Sequence, residues 1–122
     1  MIIYNQMGVD QLADADVDRL FHALADATRR DIVRRVVAGE HSISDLARHY
    51  PMSMTAVQKH VAVLEGAGLV SKNRHGREQR VSGRVEALHE AQRLLDMLEQ
   101  VWRDRVDRMG ALLAEPTLED PT

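Results

Sequence analysis

Between Ser42 and Arg84 the chain reads SISDLARHYP, then MSMTAVQKHVAVLEGAGLV, then SKNRHGREQRVSGR, and this order leaves few folds open. The middle piece predicts a helix over 53–67, about four turns long. Val57, Val61 and Leu64 recur at i, i+4 and i+7, which makes one buried stripe. The other side carries Thr55, Gln58, Lys59 and Ala62, small or polar and none acidic. Ahead of it, Ser42 opens a short helix, with Asp45 placed to reach back in a weak capping box. Leu46 and Ala47 are its core residues, and Pro51 is read as its stop. Ser53 caps the longer helix; Gly66 and Gly68 end it. A β-hairpin follows, with strands Leu69–Asn73 and Gln79–Ser82 around Arg74-His75-Gly76-Arg77, closed by Gly83.

The flanks are helical. Val17, Leu20, Phe21 and Leu24 predict an amphipathic helix over about 13–25, with Asp14, Asp16 and Asp18 near its dipole-favoured start. Asp26 is the expected N-cap of a second helix, 28–38, which buries Ile32, Val33, Val36 and Val37 and exposes Arg29, Arg30, Arg34 and Arg35. Gly39 ends it. From 85 to 114 there is no proline and a single glycine, Gly110. Leu88, Leu95, Trp102 and Met109 are spaced by seven, and Leu98 with other apolar residues widens the row. That spacing predicts a helix packed lengthwise on another helix, either across a dimer or wholly on its own core. Residues 1–11 and 115–122 are expected to fray. The whole is read as one mainly α domain over 1–122: about five helices and a two-stranded wing, a winged helix-turn-helix that pairs through its first and last helices.

Charge supports this reading once it is divided. The chain's net charge is −3. Residues 1–47 hold five Arg against eight acids, residues 48–84 seven Lys/Arg against two, and residues 85–122 four Arg against nine. The basic charge therefore falls on the helix and hairpin, where screening makes the local patch matter more than the total. The competing reading is an ordinary solvated face. The absence of cysteine excludes disulfides, thiolate metal sites and thiol nucleophiles. No stretch approaches the ~20 apolar residues that span a membrane, so a cytoplasmic location is expected. No phosphate-binding glycine loop, Gly-x-Ser-x-Gly or His-Glu-x-x-His is present, and no enzyme activity is expected.

The stretches ALADATRRDIVRRV, SISDLARHYPMSMTAVQKHVAVLEGAGLV and GREQRVSG together resemble the ArsR-type (arsenic-repressor-like) winged helix-turn-helix regulators, over roughly residues 17–113. The resemblance implies a homodimeric transcriptional repressor on a palindromic operator. It departs from the metal sensors of that family. The arsenic-type cysteine pair has no counterpart in Ser44 to Ala47. Reading from His89, the zinc-type positions hold Ala87, Gln100 and Arg103, which cannot form that site. No metal or other cofactor is expected, and the chain looks like the subgroup without metal ligands. Gln58 stands where the family commonly has Ser.

The expected DNA contacts are Ser53, Thr55, Gln58, Lys59, His60, Arg74 and Arg77. Gln58 can pair with adenine N6 and N7, Thr55 with a thymine methyl or a phosphate, and Lys59 with guanine or phosphate. Ser53 can bond a phosphate at the helix N-terminus. His60 either touches the DNA backbone or bonds within the motif. Arg74 and Arg77 reach a phosphate or the minor groove. Arg29 and Arg30 are read as a solvated face. Leu88, Leu95, Leu98, Trp102 and Met109 are the expected dimer contacts. Two other readings stay open: a winged-helix module that binds protein, and a sensor of the same fold with an unknown small-molecule or ion effector.

Overall fold

The computed structural model describes residues 14–118; the expected frayed stretch 1–11 lies outside them, and of the expected frayed stretch 115–122 residues 119–122 lie outside while 115–118 continue the last helix instead of fraying. The elements in order are α1 (Asp14–Leu24), α2 (Ala27–Ala38), β1 (His41–Ser42), α3 (Ile43–Ala47), α4 (Met54–Gly66), β2 (Val70–His75), β3 (Glu78–Gly83) and α5 (Val85–Leu118). Contacts divide the chain into two units, one ending at Ala91 and one beginning at Gln92.

The starts of α2, α3 and α4 each have a side-chain cap. Asp26 accepts the Arg29 N–H at 2.9 Å, Ser42 Oγ the Asp45 N–H at 3.0 Å, and Ser53 Oγ the Ala56 N–H at 3.1 Å. These satisfy donors that the first helical turn leaves without partners. Asp45 does not reach back to Ser42 as expected; its carboxylate pairs with Arg48 at 3.3 Å. At the end of α4 only Gly68 acts as the stop, because it takes a left-handed φ of 77°. The Leu69 N–H reaches the Leu64 carbonyl and the Gly68 N–H reaches Glu65, both at 3.0 Å. This is the Schellman pattern, and its accompanying apolar contact is made by Leu64 and Leu69, both fully buried.

The sheet differs from the expected two-stranded wing. It has three strands in the order β1-β3-β2, all antiparallel. His41 pairs with Val81 and Ser42 with Arg80. Two residues are too few to show alternation, so β1 left no periodic signal. The wing loop is also tighter than expected: His75 pairs with Glu78, which leaves Gly76 and Arg77 as a two-residue turn. Gly76 has φ 66°, the left-handed backbone that a tight hairpin demands at its first central residue. Gly83 allows a close approach of a different kind. A Cβ there would stand 2.6 Å from Val37 Cγ2 and 2.9 Å from Val37 Cα.

The core of the first unit joins Leu20, Ile32, Val36, Ile43, Leu46, Val57, Val61, Leu64, Leu69, Val70, Val81 and Ala91. The α4 stripe is buried as the spacing requires. Two expectations fail. Val37 is 43% exposed rather than buried; α2 has only one buried face and Val37 falls beside it. Pro51 does not end α3, which stops at Ala47 and passes into a turn where His49 N–H bonds Leu46 O and Tyr50 N–H bonds Ala47 O.

In the second unit α5 carries Leu95, Met97, Leu98, Val101, Trp102, Val106, Met109, Leu112 and Leu113, each 44–79% exposed. Its polar residues pair along the helix: Gln92 with Asp96, Gln100 with Asp104, and Arg103 with Glu99. Among the described residues no helix is long and apolar enough to cross a membrane.

Candidate nucleic-acid interface

The exposed side of α4 and the turn of the wing carry the expected contacts. Thr55, Gln58, Lys59 and Ala62 are exposed, as are Arg74 and Arg77. Their buried counterparts, Val57, Val61 and Leu64, fix which side of α4 faces out. The Lys72 ammonium lies 3.4 Å from Glu65 and ties β2 to the last turn of α4.

The seven cations of residues 48–84 fall into two sets. Four have carboxylate partners: Arg48 with Asp45, Lys72 with Glu65, Arg80 with Glu40 and Glu78, and Arg84 with Glu86 at 4.0 Å. Among the described residues Lys59, Arg74 and Arg77 have none. Cations without a partner keep their full field for an outside anion, whereas a paired one must first give up its own acid. The three unpaired cations are the three named from sequence.

Ser53 is not idle: its hydroxyl oxygen is occupied by the Ala56 N–H, so it serves the cap first and retains only its O–H for a phosphate. His60 is half-buried, and its Nδ1 lies 3.4 Å from Arg29 Nη1.

Arg30 is exposed as expected, but Arg29 is half-buried, and both side chains are held by α1. Arg29 Nε donates to Ala23 O at 2.8 Å and Nη2 to His22 O at 3.0 Å; Arg30 Nη1 donates to Leu24 O at 2.8 Å. They bond the last carbonyls of α1, one of which, His22 O, also accepts the Ala25 N–H. The available signal was a pair of arginines a few residues beyond a helix terminus, where cations favour the dipole. The Arg29 N–H also holds the Asp26 carboxyl below its ordinary range, and the Arg29 charge adds to the effect.

A second cluster missed by sequence ties α2 to the turn before α4. Tyr50 OH donates to Asp31 at 2.6 Å, Arg35 Nε donates to Asp31 at 2.8 Å, and Arg34 also pairs with Asp31. The Arg35 guanidinium stands 6.0 Å from the centre of the Tyr50 ring. Nothing local marks a contact 19 residues apart. The Tyr50 hydroxyl and the two arginines hold Asp31 far below the usual carboxylate range. Burial, then the bond to Asp31, pushes the Tyr50 phenol up to about 12.

These shifts fix a pH dependence. A carboxyl whose folded pKa is depressed contributes stability above its unfolded value of ~4, and that contribution disappears as pH falls toward the folded value. Tyr50→Phe is therefore expected to lower the thermal midpoint near neutral pH, with the gap from the parent chain narrowing in acid as Asp31 protonates. Thermal melts across acid pH check this; a gap constant with pH would mean that Tyr50 acts through packing alone.

Comparison with known proteins places this arrangement. The helix-turn-helix domain family matches residues 24–72, from the end of α1 into β2. An HTH-type transcriptional regulator of Mycobacterium tuberculosis is 49% identical over 53 residues, 43% of this chain and 50% of that regulator. The chain thus matches only half of that relative's length. The transcriptional repressor SdpR of Bacillus subtilis is 30% identical over 60 residues, 49% of this chain and 67% of the repressor. An ArsR-like transcriptional regulator from Rhodococcus sp. RHA1 superposes with a TM-score of 0.76 at 30% identity, covering 83% of this chain and 93% of that one. The chain belongs to the ArsR family. Within that family of helix-turn-helix regulators, α3 and α4 are the helix-turn-helix and β2–β3 the wing. Transcription regulators are a non-enzymatic class.

Proposed function

We propose that this chain is a homodimeric DNA-binding repressor that reads a palindromic operator with α4 in the major groove and the wing on the flanking backbone. The observation that carries this is a pairing of features: α4 exposes the hydrogen-bonding residues Thr55 and Gln58, and the three cations of α4 and the wing that have no acid partner among the described residues, Lys59, Arg74 and Arg77, are exposed with them. Phosphate contacts from Lys59, Arg74 and Arg77 position the helix, and Gln58 with Thr55 reads base edges. Ser53 adds a phosphate contact at the start of α4. The exposed apolar row of α5 is the dimer surface, so that two copies of α4 meet half-sites about one helical turn, or a multiple of it, apart. Repression is argued from the family and from the named repressor among the relatives. The protein acts in the cytoplasm beside the DNA it controls; a small-molecule effector is the remaining candidate partner.

Fluorescence anisotropy with the protein's own upstream duplex and a scrambled one, across a salt series, tests this. Tighter binding to the native duplex that weakens steeply with salt is the expected result; equal, weak binding to both would refute it. Gln58→Ala is expected to cut the ratio of native to scrambled affinity by about five- to a hundredfold, since a bidentate base pair contributes ~1–3 kcal/mol of discrimination. Affinity for the scrambled duplex should stay near the parent value. An unchanged ratio would show that Gln58 reads no base.

A further inference from the structure

We infer that Arg29 is a positioning residue for His60, and that His60, held this way, presents its Nε2–H to a DNA phosphate oxygen. This rests on the DNA-binding reading above and adds a residue from outside the helix-turn-helix to it.

The contact between Arg29 Nη1 and His60 Nδ1 at 3.4 Å has only one possible polarity. A guanidinium carries donors and no acceptor. Nδ1 must therefore accept, and the ring's single proton sits on Nε2. In histidine sites the hydrogen bond at one ring nitrogen sets the role of the other.

Nε2 is on the far side of the ring from Nδ1. Among the described residues it has no hydrogen-bond partner, and no unpartnered side-chain nitrogen or oxygen is buried there. Nε2 therefore reaches solvent although His60 as a whole is half-buried. This is a donor fixed in direction, with nothing among the described residues to donate to.

Its place on α4 indicates the acceptor. A helix turns about 100° per residue. Thr55, Gln58, Lys59 and Ala62 fill the outward side, while Val57, Val61 and Leu64 fill the inward side. His60 falls on the border between them, on the Lys59 edge. In a groove-bound helix the outward centre meets base edges and the borders face the phosphate walls.

Arg29 is itself firmly held. Its side chain donates to the His22 and Ala23 carbonyls, and its N–H donates to Asp26. The guanidinium so joins the end of α1, the start of α2 and the border of α4, and fixes where Nε2 stands. The charged groups facing His60 are Arg29 and Asp26, both on the α2 side.

The test combines a spectrum of the free protein with a double-mutant cycle on DNA. Long-range proton–nitrogen correlation spectra of the imidazole rings should show His60 as the Nε2–H tautomer in the parent chain and as a tautomer mixture in Arg29→Lys. His60→Asn keeps an acceptor near the Nδ1 position and loses the outer donor. It is expected to weaken native-duplex binding about tenfold or more, the scale of a hydrogen bond to a charged group. Arg29→Lys should weaken binding several-fold by itself and add almost nothing to His60→Asn, because it acts through the same ring. Additive losses would mean that Arg29 touches DNA directly or acts only on stability, and would overturn the inference. So would an Nδ1–H tautomer in the parent chain. If the parent chain binds no duplex, the DNA reading and the phosphate contact fall together, while the tautomer spectra still decide the Arg29–His60 link.

Discussion

Trp102→Ala is expected to convert the protein from dimer to monomer at low micromolar concentration while leaving its helix content almost unchanged. Trp102 is 60% exposed in the single chain. Its neighbours along the helix at three- and four-residue steps, Leu95, Leu98, Val106 and Met109, are 44–56% exposed. A run of large apolar side chains this open on one chain is characteristic of an association surface. Tryptophan in the middle of such a row is the residue type most often found to dominate binding energy. Truncating a Trp that becomes core in the assembly costs ~3–5 kcal/mol, or roughly two to nearly four decades in dissociation constant. Sedimentation velocity over a dilution series reads this directly. A variant that sediments like the parent at every concentration would remove Trp102 from the dimer surface. Leu88 differs from the rest of the seven-residue row: it is half-buried against the chain's own core, so its main work is inside the fold.

What could be read in advance depends on how each signal is carried. The α4 stripe was legible because three β-branched or γ-branched residues at helical spacing have one way to be buried together, and Val57, Val61 and Leu64 are fully buried. The caps at Asp26, Ser42 and Ser53 were legible because capping needs a short polar side chain just ahead of an apolar run. Strand β1 was not, since His41 and Ser42 join the sheet only through pairing with Val81 and Arg80, far along the chain. Pro51 misled for a physical reason: it forbids helix just before it, but α3 had already closed its last turn with the Arg48, His49 and Tyr50 N–H groups. Side chains that work at a distance were the largest gap. Arg29 and Arg30 look like surface charge in the helical pattern, and only the fold brings the end of α1 within their reach. Asp31 and Tyr50 likewise show their partnership only once α2 and the turn before α4 are packed. Of the candidate DNA contacts, exposure could be forecast from periodicity. Which cations lack acid partners could not, because Arg80 meets Glu40 and Lys72 meets Glu65 only in three dimensions.

The double variant Arg74→Ala/Arg77→Ala is expected to flatten the salt dependence of native-duplex binding more than any other change to the interface. Each phosphate neutralised by a cation contributes about 0.9 to the slope of log K against log salt. Arg77 sits in the wing turn and Arg74 three residues before it on β2, both without a carboxylate partner among the described residues, so each has its full charge to spend on DNA. If one copy of the chain engages the duplex, the slope should fall by about 1.8; if two copies engage it, by about 3.6. At about 0.1 M salt the second case weakens binding by between three and four decades, while at about 1 M the parent and variant should nearly converge. Specificity should be almost untouched, since phosphate contacts position the protein without reading sequence. This separates the wing from Gln58, whose loss changes discrimination and leaves the salt slope in place. Comparing the slope change in the parent background with that in Trp102→Ala also counts the copies on the duplex. A fall of about 3.6 in the first and about 1.8 in the second would follow if the apolar side of α5 is what brings two wings to one operator. A slope that does not move would show that the wing arginines stay in solvent, and would leave Lys59 and the α4 N-terminus as the backbone contacts.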